Sequence, residues 1–150
     1  VVGRTIAHNV VPRIDVLDPE TGDTFEETKA VRESRRILGM PGLEVVATCV
    51  RVPVFVGHGT SVVATFERPI SPAEAREVLA AAPGVAVMDD PANDVYPTPI
   101  DAVGRDEVLV GRIRRAGERP DALALFACAD NLRKGAALNA VQIAERLAAR

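Results

Sequence analysis

The sequence contains no tryptophan, one tyrosine and two cysteines, and aromatic residues make up 3% of its 150 residues. Basic residues are not in excess either, because the formal net charge is −3. Proteins that bind nucleic acid usually present a basic face or stacking aromatic side chains, so we expect no nucleic-acid partner. No apolar run reaches the roughly 18 residues of a membrane span and no signal-peptide layout is apparent. We therefore expect no membrane contact and a cytoplasmic location.

The composition is that of a globular domain, with 47% hydrophobic and 26% charged residues. A chain of this length is the size of one ordinary domain, so we expect residues 1–150 to form one. It begins at Val1 without a methionine, and we expect it to be a piece of a longer protein.

The two cysteines, Cys49 and Cys128, both sit in apolar, strand-like runs. Their spacing matches no zinc pattern, so we predict no metal site. A pair in such a chain is poor evidence for a disulfide, and we expect two reduced, buried and unreactive thiols.

The hydrophobic periodicity and the turn residues predict an α+β domain with a mainly antiparallel sheet and helices packed mostly on one face. A capping box, formed by Asp23 with Glu26 or by Thr24 with Glu27, begins the first helix, and Gly39 ends it. A long strand at 44–56 is expected to form an antiparallel hairpin with 60–67, because the connection between them is short. The predicted helices are 24–38, 72–81 and 133–148, and the predicted strands are 44–56, 60–67, 85–88, 107–115 and 122–129.

The 44–56 strand carries the first candidate functional residues. Arg51 lies among valines in mid-strand, where a charge is costly unless something pairs with it. His58 follows between two glycines, which allow a tight turn or the close approach of a ligand. A cation on a strand and an imidazole on its exit turn suit an anionic substrate that undergoes proton transfer. Taken alone, such a pattern is more often an arginine that reaches out to solvent followed by an ordinary turn.

Glu26 and Lys29 form a second pair of candidates, since residues three apart are neighbours on a helix surface. The local pattern is also that of a solvated row of ion pairs, and the sequence alone favours that simpler interpretation. Asn131 stands near the start of the last predicted helix, where free amides favour an anion or an amide oxygen.

Several blocks of the sequence together resemble the C-terminal half of aspartate-semialdehyde dehydrogenase. The likeness runs from about Asn9 to Leu147, and its most specific block is the one around Arg51 and His58. The blocks that carry it are EETK (26–29), TCVRVPV (48–54) with GH (57–58), YPTP (96–99), VGRIR (110–114), DNLRKGAA (130–137) and NAVQIAE (139–145).

The resemblance implies a role for each candidate residue. Enzymes of this family reductively dephosphorylate β-aspartyl phosphate with NADP as the cofactor, in amino-acid biosynthesis, through a thioester on a catalytic cysteine. Arg51 would hold the substrate carboxylate, Glu26 the substrate amino group and Lys29 the phosphate. His58 would be the general acid/base, and Asn131 would lie near the nicotinamide. We then expect these side chains to converge on one pocket.

The resemblance also implies a fold like the C-terminal domain of glyceraldehyde-3-phosphate dehydrogenase. It further implies that this chain forms a homodimer and that its residues 130–150 pack on an N-terminal NADP-binding domain of the same protein. Cys49 and Cys128 do not match the family's nucleophile, and no GxGxxG motif is present. We therefore expect this chain to be inactive by itself. A reductase of another acyl phosphate, such as an acetylated glutamyl phosphate, and a non-catalytic dimerisation module are the alternatives.

Overall fold

The structure is a computed structural model that describes residues 3–149, and the chain forms two compact units. The N-terminal unit ends at Pro53, and the C-terminal unit starts at Val54.

The N-terminal unit is built around helix α1, Phe25–Leu38, which confirms the helix predicted there. The capping box is the one formed by Thr24 and Glu27. The Thr24 hydroxyl accepts from the Glu27 amide at 3.3 Å, and the Glu27 carboxylate accepts from the Thr24 amide at 2.7 Å. Gly39 ends the helix in the left-handed conformation at φ 65°, as the sequence predicts.

The predicted long strand at 44–56 is wrong. Side chains of residues 43–51 do alternate between half-buried and exposed, as they would in a strand. Within the described residues, however, the only β-type pairing of this segment is the isolated antiparallel bridge between Val11 and Arg51. Alternation shows that one face is covered, but a ladder also needs a neighbouring strand edge, and Pro53 cannot donate to one. We call residues 43–53 the extended segment.

The C-terminal unit contains a mixed sheet with the strand order β1-β4-β3-β2. The predicted hairpin with 44–56 is therefore wrong, because β1 pairs with β4 along its whole length. β4 also pairs antiparallel with β3, whereas β2 runs parallel to β3. The strands are β1 His58–Thr65, β2 Val85–Val87, β3 Val108–Arg115 and β4 Ala122–Ala129.

Helix α2, Pro72–Ala81, packs on β2 and β3 and starts at the predicted cap, where the Ser71 hydroxyl accepts from the Glu74 amide at 3.1 Å. Its Ala75 lies in a core cluster with Val110, Ile113 and Leu123. The opposite face of β3 buries Leu109 beside Cys128 and Ala102, so the two central strands are covered on both faces.

A β-bulge interrupts the pairing of β3 with β4 between Gly111 and Arg114. Arg112 adopts a left-handed conformation there, at φ 56°. The Asp89 carboxylate accepts from the amides of Arg112 at 2.7 Å and Ile113 at 3.2 Å. Arg76 donates to Asp89 from Nε at 2.7 Å and to the Ile113 carbonyl at 2.7 Å. One buried carboxylate thus holds the bulge together.

The last helix begins later than predicted. Residues Arg133–Ala137 form a wide turn, Ala136 leaves the helical region, and helix α3 spans Leu138–Ala148. The cause lies at Asp130, whose carbonyl oxygen accepts from three successive amides, those of Arg133, Lys134 and Gly135. This arrangement widens the first turn and shifts the regular helix toward its C-terminal end.

Candidate functional site

Glu26 and Lys29 form the ion pair that their spacing predicts, on the first turns of α1. The Lys29 Nζ lies 3.1 Å from Glu26 Oε1 and 3.3 Å from Oε2, and both side chains are about one-third exposed. The hydrogen bond to Glu26 raises the pKa of Lys29 above its ordinary value. The pair offers an anion and a cation side by side, which suits a ligand that carries charges of both signs.

Arg51 lies in the extended segment and is held through its backbone. Its amide donates to the Val11 carbonyl at 2.9 Å, and its carbonyl accepts from the Val11 amide at 3.0 Å. The residue is half-buried, yet within residues 3–149 its guanidinium has no ion-pair partner. A half-buried guanidinium without a carboxylate is available to bind an anion.

Glu27 connects α1 to the extended segment, in addition to the helix-cap role that the sequence predicts for it. One carboxylate oxygen accepts from the Thr24 amide, and the other accepts from the Cys49 amide at 2.7 Å. The residue is 8% exposed. The Thr24 and Cys49 amides bind its charged form and hold the pKa of Glu27 below its ordinary value. No spacing rule links positions 27 and 49, so the sequence carried no signal for this contact.

His58 is exposed and is the first residue of β1, opposite Ala129, rather than part of a free turn. Close packing against backbone requires the first of its two flanking glycines, and the second lies against the Phe126 ring. A Cβ on Gly57, at φ 95°, would lie 2.8 Å from the Pro99 carbonyl oxygen, and one on Gly59 would lie 2.8 Å from the Phe126 ring. The backbone around the imidazole is therefore fixed from both sides.

Asn131 reaches the same place, because its Oδ1 accepts from the Gly57 amide at 2.8 Å. The Asp130 carboxylate, 4% exposed, accepts from the amides of Gly104, Leu132 and Arg133 and so fixes the turn that carries Asn131. These amides, that of Gly104 first, hold the pKa of Asp130 below its ordinary value. The structure thus brings Asn131 to the residue before His58.

The five predicted site residues fall into two groups. Glu26, Lys29 and Arg51 belong to the N-terminal unit, whereas His58 and Asn131 belong to the C-terminal unit. Within its unit, Glu26 contacts Lys29, and Asn131 contacts the amide that precedes His58. The convergence of all five side chains on one pocket stays a prediction.

Residues 1–134 match the family described as "Semialdehyde dehydrogenase, dimerisation domain". The chain belongs to this family. It is 55% identical over 142 residues to the aspartate-semialdehyde dehydrogenase of Aquifex aeolicus, a match that covers 95% of this chain and 42% of the relative. The dimerisation domain described here therefore spans less than half the length of this curated relative.

Two solved structures show the same fold as this dimerisation domain. The aspartate semialdehyde dehydrogenase II of Vibrio cholerae, solved in complex with ASA, superimposes with a TM-score of 0.91 at 41% identity, covering 97% of this chain and 43% of that one. The aspartate semialdehyde dehydrogenase of Candida albicans, solved with NADP, gives a TM-score of 0.68 at 25% identity, covering 87% of this chain and 42% of that one.

Both thiols of this dimerisation domain are poorly suited to nucleophilic chemistry. Burial raises the pKa of the half-buried Cys49, and the nearby Glu27 carboxylate raises it further. Burial likewise raises the pKa of Cys128, which is 1% exposed. A raised pKa disfavours the thiolate, which is the reactive form.

Across residues 3–149, no three His, Cys, Asp or Glu side chains are placed to hold a metal ion together. Among the helices of the same residues, none is both long and apolar enough to cross a membrane.

Proposed function

We propose that this chain is the substrate-binding and dimerisation domain of an NADP-dependent aspartate-semialdehyde dehydrogenase. The intact enzyme would convert β-aspartyl phosphate and NADPH to aspartate semialdehyde, phosphate and NADP. The observation that carries the proposal is the charge arrangement of the N-terminal unit. The Glu26–Lys29 pair and Arg51, which has no ion-pair partner within residues 3–149, stand on elements joined by Glu27. The substrate presents complementary charges, namely an ammonium, a phosphate and a carboxylate.

Each charged side chain then has one binding role. The Arg51 guanidinium binds the substrate carboxylate with two parallel hydrogen bonds, a geometry that a lysine ammonium cannot reproduce. Glu26 accepts from the substrate ammonium, and Lys29 donates to the phosphate. The ion pair between these two residues is about one-third exposed, so replacing it with contacts to the substrate costs little free energy.

His58 acts as the general acid/base. An imidazole ring nitrogen can both take up and return a proton. In this proposal it takes the proton of the catalytic thiol and later protonates the reacting oxygen, a role that contributes about 10²–10⁴ in rate. We infer that the thiol belongs to another part of the enzyme, because neither Cys49 nor Cys128 matches the family's nucleophile and burial raises the pKa of both.

The residues present suit a supporting role toward NADP. Asn131 uses Oδ1 to accept from the Gly57 amide, which leaves its Nδ2 as a donor for the nicotinamide carboxamide oxygen. The reduced cofactor, NADPH, would supply the hydride, and most of its binding surface is expected in the N-terminal domain of the enzyme, since this sequence has no GxGxxG motif.

The homodimer is proposed on the family description together with exposed apolar side chains of the C-terminal unit. Val63 is 70% exposed and Ile100 is 80% exposed, so both apolar side chains are available to a partner surface. Light scattering of the purified enzyme should report twice the monomer mass, and a monomer at micromolar concentration would contradict this proposal. The cytoplasmic location stays a prediction.

The proposal is tested with the intact enzyme, by following NADPH formation from aspartate semialdehyde, NADP and phosphate. We expect turnover, and we expect His58→Asn to lower it by about 10²–10⁴ while the fold is retained. Turnover with acetylated glutamate semialdehyde in place of aspartate semialdehyde would favour the sister reductase. Turnover with neither would favour a non-catalytic module, and an unimpaired His58→Asn would remove the imidazole from the chemistry.

A further inference from the structure

The Glu27 carboxylate makes one contact that a helix cap does not need. In a capping box, the carboxylate of the third helical residue accepts from the N-cap amide, which here is the amide of Thr24. The second oxygen of Glu27 accepts from the amide of Cys49, 22 residues further along the chain. The carboxylate is buried and both of its oxygens are used at 2.7 Å, so the contact is a fixed part of the N-terminal unit.

The position of Arg51 depends on a small number of such contacts. Apart from the Glu27 contact and a local turn bond from the Leu43 amide to the Met40 carbonyl at 3.1 Å, the described anchors of the extended segment are the Arg35 side chain on the Leu43 carbonyl at 2.8 Å and the bridge to Val11. Arg35 lies at the other end of α1, and Val11 lies outside the helix. Glu27 is thus the anchor that reaches the turn of α1 from which Glu26 and Lys29 project.

We propose that Glu27 is a positioning residue, which holds Arg51 in register with the Glu26–Lys29 pair so that one substrate molecule can contact all three side chains. This inference rests on the proposed function. Cys49 and Arg51 are two residues apart and therefore point to the same face of the extended segment. A shift of the segment relative to α1 would carry the guanidinium away from the pair, and a displacement of about 1 Å at a binding group can cost up to about a hundredfold in rate.

Glu27→Gln removes one of the two hydrogen bonds that the carboxylate accepts. A glutamine side chain has one acceptor oxygen, but two amides point at position 27. It can keep the cap and lose the Cys49 contact, or keep that contact and weaken the cap. Thr24→Ala is the matched control, because it removes the hydroxyl that accepts from the Glu27 amide and leaves the Cys49 contact in place.

A second pair of variants removes the same hydrogen bond from the opposite side. Cys49→Pro deletes the amide hydrogen that Glu27 binds and leaves both halves of the capping box intact. Cys49→Ala is its control, since it removes the thiol but keeps the amide. The proposal therefore does not depend on Glu27→Gln being stable enough to purify.

The experiment measures kcat and the KM values of the intact enzyme for aspartate semialdehyde, phosphate and NADP. We expect Glu27→Gln and Cys49→Pro to raise KM for aspartate semialdehyde by about tenfold and to leave KM for NADP unchanged. Thr24→Ala and Cys49→Ala should stay within about twofold of the wild type. In an Arg51→Lys background, Glu27→Gln should add less than about twofold, because it acts through the residue already replaced.

A purely structural role predicts a different result, since a partly unfolded preparation loses kcat in proportion to its inactive fraction and keeps its KM. That result, or an unchanged KM in Cys49→Pro, would overturn the inference while the active wild type left the proposed function standing. A wild-type enzyme without activity on aspartate semialdehyde would overturn the proposed function and this inference together.

Discussion

Asp89→Ala should destabilise the C-terminal unit more than the replacement of a surface carboxylate does. The Asp89 side chain is 1% exposed and accepts from three donors, which are Arg76 Nε and the amides of Arg112 and Ile113. Its removal leaves the Arg76 guanidinium without its carboxylate and the Ile113 amide without its acceptor, at a residue that is 2% exposed. The bulge in β3, where Arg112 is left-handed, then loses the group that closes it.

The size of the effect follows from the burial of the two partners. Breaking a buried ion pair by removing one member costs about 3–5 kcal/mol. The Arg76 side chain is one-third exposed and can recover some hydration, so we expect the lower end of that range, about 3 kcal/mol. Asp89→Asn keeps the shape and one acceptor, so its cost should be smaller, about 1–2 kcal/mol.

Urea unfolding is followed by far-ultraviolet circular dichroism at one fixed protein concentration. The midpoint and slope of the transition give the change in unfolding free energy. Asp121→Ala is the matched control, because Asp121 pairs with Arg119 at the surface, and it should cause no resolvable change. If Asp89→Ala lies within about 0.5 kcal/mol of the wild type, the range of ordinary surface substitutions, the assigned role of this carboxylate is refuted.

Two further predictions concern Gly57 and the buried carboxylates. Gly57→Ala should lower the unfolding free energy by at least about 1–3 kcal/mol because its backbone is left-handed, and by more because the new methyl group overlaps Pro99. Gly117 is also left-handed but lies in open space, so Gly117→Ala should cost only the backbone part. Equal losses in the two variants would contradict the packing argument. The pKa values of Glu27 and Asp130 are lowered in the folded chain, so the stability that they contribute is present above about pH 4 and is lost as the pH falls further. In a series of unfolding midpoints against pH, Asp130→Asn should show a shallower acid decline than the wild type, and parallel curves would count against this assignment.

The features that the sequence predicts correctly are local ones. The caps at Thr24 and Ser71 depend on residues three apart, and the Glu26–Lys29 pair depends on the helical repeat alone. Strand β4 and the first half of β3 are apolar on both faces, and their hairpin is short enough for sequence neighbours to be spatial neighbours. Such features need no knowledge of the rest of the chain.

The features that the sequence missed are choices between distant partners. The β-branched run at 44–56 has the composition of a strand, but β4 is the strand that pairs with β1. The Asn131–Gly57 hydrogen bond joins residues 74 apart, and the Glu27–Cys49 bond joins residues 22 apart. No periodicity links such positions, because the path of the backbone in three dimensions decides which amides meet which acceptors.

The measurement that tests the central claim most directly is kcat/KM of the intact enzyme for aspartate semialdehyde, compared between wild type and Arg51→Lys. A lysine keeps the charge but loses the two-pronged hydrogen bond to the substrate carboxylate, so we predict a fall of about tenfold to a hundredfold with KM for NADP unchanged. An Arg51→Lys enzyme with wild-type kcat/KM would show that Arg51 does not bind the substrate and would contradict the account.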